Sequence, residues 1–326
     1  MSASANSLLP SFARAPSRVA IQQAASYQAD LSAVLFEALR EFKLTVQGKV
    51  ILLKPNFVGL DSDNLMMNTH PAVVGAARES FLRLGARRVI VGEGPALERD
   101  SEAIVEAMRL REYIGRLPGT FVDLNVDEVY RVPLKTRASR LKELHLPQAV
   151  LQADLVVSMP KLKTHHWAGV TLSLKNMFGI VPGCCYGWPK NILHWAGITQ
   201  ALIDINSTVR PDFVIVDGIV GMEGNGPIQG TPKACGVLVV GDDPVAVDAT
   251  CVRLMDLVPD RISYLVYAAS LLGHLKEEKI QQIGASIDSV RTSFEVIDSF
   301  RYLRSPNWRK GWNGNCTDPT TYAPKN

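Results

Sequence analysis

Cysteine is scarce and badly placed for structural work. The five residues are an odd number with no Cys-x-x-Cys spacing, which argues against a disulfide framework and against a self-contained iron-sulfur or zinc module. A reducing compartment fits that usage. Charge of one sign is also missing: Lys plus Arg total 35 against 32 for Asp plus Glu, a formal +3, too little for long-range attraction to nucleic acid or an anionic membrane. No stretch approaches the eighteen or so apolar residues of a membrane span. The start, Met1 to Ser17, is rich in Ser and Ala but has no continuous apolar segment of the signal-peptide kind. Neither a P-loop nor a Gly-x-Gly-x-x-Gly fingerprint follows a strand pattern. Together these absences predict a soluble cytoplasmic protein with no nucleic-acid or membrane partner, and leave function to local chemistry.

What is present is a recurring alternation of short β-branched runs with helical patterns. The runs are Arg18–Gln22, Lys49–Lys54, Arg88–Val91, Phe121–Leu124, Asp154–Met159, Phe213–Asp217 and Gly236–Val240. Most are apolar on both faces, as strands of a covered parallel sheet should be. Helices are predicted from Thr69-His70-Pro71 through Leu84, stopped by Gly85, and from Asp243-Pro244 to Met255. Tyr130 to Leu146 is more polar and reads as a hairpin or an excursion from the main body. The fold class is therefore α/β, a mainly parallel sheet flanked by helices and divisible into two lobes with a cleft. Residues 1–15 are expected to be irregular or disordered, 16–305 a single domain, and 306–326 an irregular tail.

Open parallel sheets hold ligands beyond the carboxyl ends of their strands, and polar groups fall there repeatedly. The strand runs deliver Lys54-Pro55-Asn56, Glu93, Asp123 with Asn125, Pro160-Lys161-Leu162-Lys163-Thr164-His165-His166, Asp217-Gly218 and Gly241-Asp242-Asp243. A lone Lys after a strand is usually solvated. Lys161 and Lys163 alternate onto one side of an extended segment, however, and with Lys54, Lys175 and Lys190 they suit a carboxylate or phosphate. Asn56, Asn176 and Asn225 are further candidate ligand contacts. His165 and His166 point opposite ways in a strand, so one can catalyse while the other packs. His165, His194 and Asp217 are the acid-base candidates, with His70 a further nitrogen. Lys175 stands among apolar neighbours in Ser173-Leu-Lys-Asn-Met-Phe-Gly179, which lowers an amine's pKa and makes it a nucleophile or tether; a snorkelling Lys is the bland alternative. For a metal, His194, Glu223 and Asp243 are the candidate ligands. Gly218–Gly230, with five glycines in thirteen residues, is expected to be a loop approaching ligand or a lid. The vicinal Cys184-Cys185 pair is read as incidental rather than redox-active. A short echo, His166-Trp-Ala-Gly and His194-Trp-Ala-Gly, is too brief to establish duplication.

The motifs Lys54-Pro-Asn56, Thr69-His-Pro71, Pro160-Lys-Leu-Lys-Thr-His165, Ser173 to Gly179, Val216-Asp-Gly218, Gly224-Asn-Gly-Pro227 and Asp243-Pro-Val-Ala-Val-Asp248 resemble, in order, the domain-of-unknown-function family numbered 362. Some members of that family carry an added ferredoxin-like cluster domain, whose cysteine pattern this chain lacks. Locally, His165 to Lys175 followed by Pro182-Gly183 and His194 is similar to the segment of the lactate racemase family that holds a nickel-pincer nucleotide. That resemblance implies Lys175 as covalent tether, His194 as metal ligand and His165 as an acid-base group. The interval from Lys175 to Pro182 is longer than in that family, and Leu172-Ser173-Leu174 replaces a glycine pair.

Three functions compete. The first is an enzyme acting on a small anion by Lys/His acid-base chemistry, assisted by a nickel-pincer nucleotide or another divalent metal, of isomerase, racemase or oxidoreductase type. The second is a non-catalytic carrier of a metal or anionic cofactor. The third is a redox protein partnered with an iron-sulfur protein. A homo-oligomer is compatible with all three.

Overall fold

The computed structural model describes residues 15–60, 66–97 and 99–304. The predicted tail therefore lies outside the described residues, as does all but the last residue of the predicted N-terminal segment. The apolar runs form strands β1 (Ser17–Gln23), β2 (Val50–Pro55), β3 (Arg88–Glu93), β4 (Phe121–Asp123), β5 (Val129–Pro133), β6 (Glu143–Pro147), β7 (Leu155–Met159), β8 (Lys161–His165), β9 (Gly169–Val170), β10 (Phe213–Asn225), β11 (Gln229–Gly241) and β12 (Ile280–Gly284). Ten of them share one sheet in the order β12-β1-β11-β10-β7-β2-β3-β4, with β8 joined to β10 and β9 to β8. From β10 to β4 all neighbours are parallel. β11 runs antiparallel to β10 and to β1. The predicted hairpin is the separate antiparallel ribbon β5-β6.

Two apolar layers follow from the period-two geometry of strands. Leu52, Val156, Val214, Val216 and Val239 face one layer, and Ile51, Leu53, Val157, Ile215 and Val240 face the other. Burial of each such side chain stabilises the fold by roughly 1.5–3 kcal/mol. Helix Pro71–Arg83 packs in the second layer and helices Ile198–Thr208 and Pro244–Leu254 in the first. Their starts are chemically specified. Pro71 opens its helix while the His70 ring nitrogen accepts from the Ala72 amide, and the Asp243 carboxylate accepts from the Val245 and Ala246 amides ahead of Pro244–Leu254.

β2 leads to β3 through helix Pro71–Arg83 on one face of the sheet, whereas the chain between β7 and β10 places helix Ile198–Thr208 on the other. The carboxyl ends of β2 and β7 thus flank a point where the winding reverses, the place where an open sheet leaves a crevice.

The glycine-rich stretch Gly218–Gly230 differs from expectation. It is mostly the far half of a long β10-β11 hairpin, paired as far as Asn225 with Gln229. At Gly221 a Cβ would stand 2.7 Å from the Leu162 carbonyl oxygen of β8, so the missing side chain lets β8 lie against β10, while Pro227 and Ile228 at the hairpin tip border the cleft beyond the strand ends.

Candidate functional site

A cleft of about 220 Å³ opens beyond the carboxyl ends of β2, β3 and β8. Its polar lining includes Lys54, Asn56, Glu93, Lys163, His165, His166, Lys175, Asn176, Lys190 and His194. Phe57, Leu97, Trp167, Phe178, Pro189 and Ile228 supply much of its apolar wall.

The four lysines are not equivalent. Lys54 is fully buried at the end of β2, and its ammonium pairs with Glu93 at the end of β3 and donates to Asn176 Oδ1 (2.9 Å) and the Pro55 carbonyl (2.8 Å). Burial pushes its pKa down, and the Glu93 carboxylate pulls it back up. Asn176 spans the crevice: its amide donates to Lys54 O (3.0 Å) on β2 and Ser158 Oγ (3.1 Å) on β7. Lys163 is also fully buried but has no carboxylate partner among the described residues. Its Nζ donates to the Met67 carbonyl at 2.7 Å, and burial, with Lys161, Lys175 and Lys54 nearby, holds its pKa well below the ordinary value. Lys190 donates to Gly94 O at 2.6 Å, and burial lowers it to about 7. Lys175 makes no hydrogen bond or ion pair within the described structure. Its Nζ lies 4.3 Å from the Phe178 ring centroid, and burial with the Lys54 charge lowers it to about 8.

One carboxylate, Glu93, lines this cleft among the described residues. Its Oε2 is buried with no hydrogen-bond partner, as is Asn56 Oδ1. Crowding at Glu93 explains Gly179: a Cβ there would strike the Lys54 ammonium and stand 2.8 Å from Glu93 Oε1.

The histidines divide by tautomer. His165 Nδ1 accepts from the Trp167 and Ala168 amides (3.0 and 3.3 Å), so its neutral ring carries the proton on Nε2. Burial, then the Lys175 charge, pushes its pKa down to about 2, which suits it to donate a hydrogen bond rather than to take up a proton. His166 Nδ1 faces Gly226 O at 2.8 Å and His194 Nδ1 faces Lys190 O at 3.3 Å. A carbonyl only accepts, so both rings donate from Nδ1 and keep a lone pair on Nε2. The two His-Trp-Ala-Gly echoes meet here, with Trp167 edge-on to His194 at 5.3 Å between centroids.

Several expected site residues lie elsewhere. Asp217 stands opposite Lys161 in the β10-β8 register, and their ion pair closes at 2.8 Å in full burial. Lys161 also donates to Tyr27 Oη (2.7 Å), and Asp217 takes the His70 amide (2.9 Å). The Tyr27 ring stacks on His70, which burial lowers to about 4. This cluster does not line the cleft, so Lys161 is held by a carboxylate instead of facing an anion there. Asn225 sits exposed at the hairpin end, bonded to Gln229. The metal candidates do not converge: Glu223 pairs with Lys233 (3.0 Å) and Asp243 caps its helix and bonds Ser17. Among the described residues no group of three His, Cys, Asp or Glu could hold a metal. Cys184 and Cys185 are exposed and free, with sulfurs 3.9 Å apart.

The sequence reading also missed a supporting residue. Asp248, fully buried on helix Pro244–Leu254, accepts from the Ser173 and Leu174 amides (2.7 and 3.0 Å). It holds the start of helix Leu172–Asn176, which carries Lys175 and Asn176, just after Leu172 enters the left-handed region (φ 51°). Burial pushes the Asp248 pKa well up. Asp248→Ala strands two buried amides, so we expect a loss of about 2–4 kcal/mol in chemical denaturation. A loss below 0.5 kcal/mol, on the scale of an ordinary surface change, would show that these bonds do not hold the helix.

The chain matches, over residues 51–253, the family described as Domain of unknown function (DUF362), and it belongs to that family. A Synechocystis sp. protein named as thylakoid-associated is 30% identical over 221 residues, covering 66% of this chain and 65% of its own length. Among solved structures, the lactate racemase apoprotein of Thermoanaerobacterium thermosaccharolyticum is 15% identical with a TM-score of 0.39, covering 64% of this chain and 51% of that one. A Thermotoga maritima protein is 10% identical with a TM-score of 0.35, covering 66% and 56%. The chain thus spans less than two thirds of each of these relatives. No helix among the described residues is long and apolar enough to cross a membrane.

Proposed function

We propose that the cleft binds a small phosphate- or carboxylate-bearing molecule and that the protein is a cytoplasmic enzyme moving a proton on that ligand. One observation carries this reading: among the described residues, Lys54, Lys163, Lys175 and Lys190 share the cleft with a single carboxylate, Glu93. Three of these lysines are fully or almost fully buried. Buried ammonium groups without counter-charge are costly, and a bound anion offsets that cost while accepting charge-assisted hydrogen bonds. Lys163 and Lys190, each held only by backbone carbonyls among the described residues, take the anion. Lys54, tied to Glu93 and Asn176, adds positive field. His194 or His166, through Nε2, accepts the proton, and His165 donates a hydrogen bond. The apolar wall covers the uncharged part of the ligand.

The nickel-pincer nucleotide implied by the local resemblance would find an amine in Lys175 and a nitrogen donor in His194, and it would supply a metal centre. The expected metal carboxylates Glu223 and Asp243 are engaged elsewhere, so the donor set does not fit a metal held by the protein's own side chains, and the proton chemistry above uses none.

The test is calorimetric titration with inorganic phosphate and with pyrophosphate. Wild type should bind one equivalent. Lys163→Met, which keeps the side-chain length and removes the charge, should weaken binding by roughly 10- to 100-fold, the worth of one charge-assisted bond. Unchanged affinity in that variant would remove Lys163 from the anion site.

A further inference from the structure

Lys175 stands apart from the other cleft lysines in having no hydrogen-bond or ion-pair partner among the described residues. Lys54 pairs with Glu93, Lys163 is bonded to Met67 O and Lys190 to Gly94 O. The Lys175 amine stands over the face of Phe178, and it lines the same cleft. Helix Leu172–Asn176 holds its backbone in place through Asp248. An amine that rises from a backbone held in place, has no ion-pair partner among the described residues and lies beside an anion site is arranged for nucleophilic attack on what the anion carries.

We infer that the Lys175 amine forms an imine with a bound ligand, so that the substrates of this cleft are carbonyl-bearing anions, either aldehyde or keto phosphates or 2-keto carboxylates. This rests on the anion reading and deepens it. The Nζ lone pair attacks the carbonyl carbon and the carbon-oxygen π bond breaks, leaving an alkoxide oxygen and an ammonium nitrogen. The ammonium formed at Nζ gives up a proton to an imidazole lone pair, for which His194 Nε2 is placed in the same lining. That proton passes to the alkoxide to give the carbinolamine, and the imidazole then relays the second nitrogen proton to the hydroxyl, which leaves as water while the carbon-nitrogen double bond forms. The balance is one amine plus one carbonyl giving one imine plus one water, with no oxidant or metal required. Near neutral pH a useful fraction of the amine is uncharged, since burial and the Lys54 charge bring it to about 8.

The experiment is reductive trapping on the full chain. Glycolaldehyde phosphate in one arm and pyruvate in the other are incubated with the protein and sodium cyanoborohydride, and adducts are located by peptide mass spectrometry. The expected result is a dominant adduct on Lys175 in at least one arm, which also decides between the phosphate and the carboxylate class. Its formation rate should rise with pH to half its maximum near 8, and inorganic phosphate should slow it. Lys175→Arg, checked for folding by circular dichroism, should lose the adduct without another cleft lysine taking it up. Adducts spread over exposed lysines in both arms, or on Lys175 no more than on these, overturn the inference. Phosphate titration of the same wild-type sample separates the two claims: binding without trapping sinks only the imine, whereas no binding sinks the anion reading beneath it.

Discussion

Glu93→Gln should destabilise the unliganded protein by about 3–5 kcal/mol, the usual result of removing one partner from a buried ion pair, and saturating phosphate should recover much of that loss. Glu93 supplies the negative charge that faces Lys54 at the floor of the cleft, and both side chains are almost completely buried. The amide would keep a dipole toward Lys54 but leave that ammonium with Asn176 Oδ1 and the Pro55 carbonyl as its acceptors. The cleft would also gain positive charge, so the variant should hold phosphate at least as tightly as wild type. Urea unfolding with and without phosphate measures both effects. A change under about 0.5 kcal/mol would mean that the lysines are already neutral in the folded protein, and the electrostatic argument for an anion would lose its basis.

The second large effect is a rise in unliganded stability with pH. Lys190 falls from 10.5 to about 7 and Lys175 from 10.5 to about 8, burial being the main cause in each. Between the folded and unfolded pKa the unfolded chain binds the proton more tightly, so stability increases with pH across that window. The penalty is full below about 7, shrinks above it and disappears near 10.5. For Lys190, which is almost wholly buried, the span is on the order of 3–5 kcal/mol. Lys190→Met should flatten the rise, and saturating anion should flatten it too, because a bound anion restores the proton to the folded state. Denaturation midpoints from pH 6.5 to 10, as differences between wild type and Lys190→Met, isolate this residue from other titrations. A wild-type slope identical to that of the variant would contradict the shift.

How far the sequence foretold this site depended on the range of the interaction involved. Strands β2, β3 and β7 were legible because each is a short apolar run, and the rule that ligands gather past strand ends placed Lys54, Glu93 and Lys163 on one rim. Lys175 and His194, singled out in the sequence by apolar neighbours and by a local motif, both line the cleft. Lys161 was misjudged because alternation along β8 cannot reveal that the β8-β10 register sets Asp217 opposite it. His165 was placed at the cleft, but its tautomer was not legible: the turn into Trp167 and Ala168 engages its Nδ1 with two amides. Gly218–Gly230 read as a loop because glycine signals both loops and close backbone approach, and only the packing of β8 on β10 tells them apart. Asp248 had a visible signal in its motif, but its partners at Ser173 and Leu174 lie far away in sequence.

The most direct test of the anion site is anomalous diffraction from crystals soaked in arsenate, a scattering mimic of phosphate. The reading requires an arsenic peak inside the cleft, within hydrogen-bonding reach of Lys163 and Lys190 and lost in Lys163→Met crystals. Arsenic found solely on exposed lysines, with this crevice empty at saturating concentration, would contradict it.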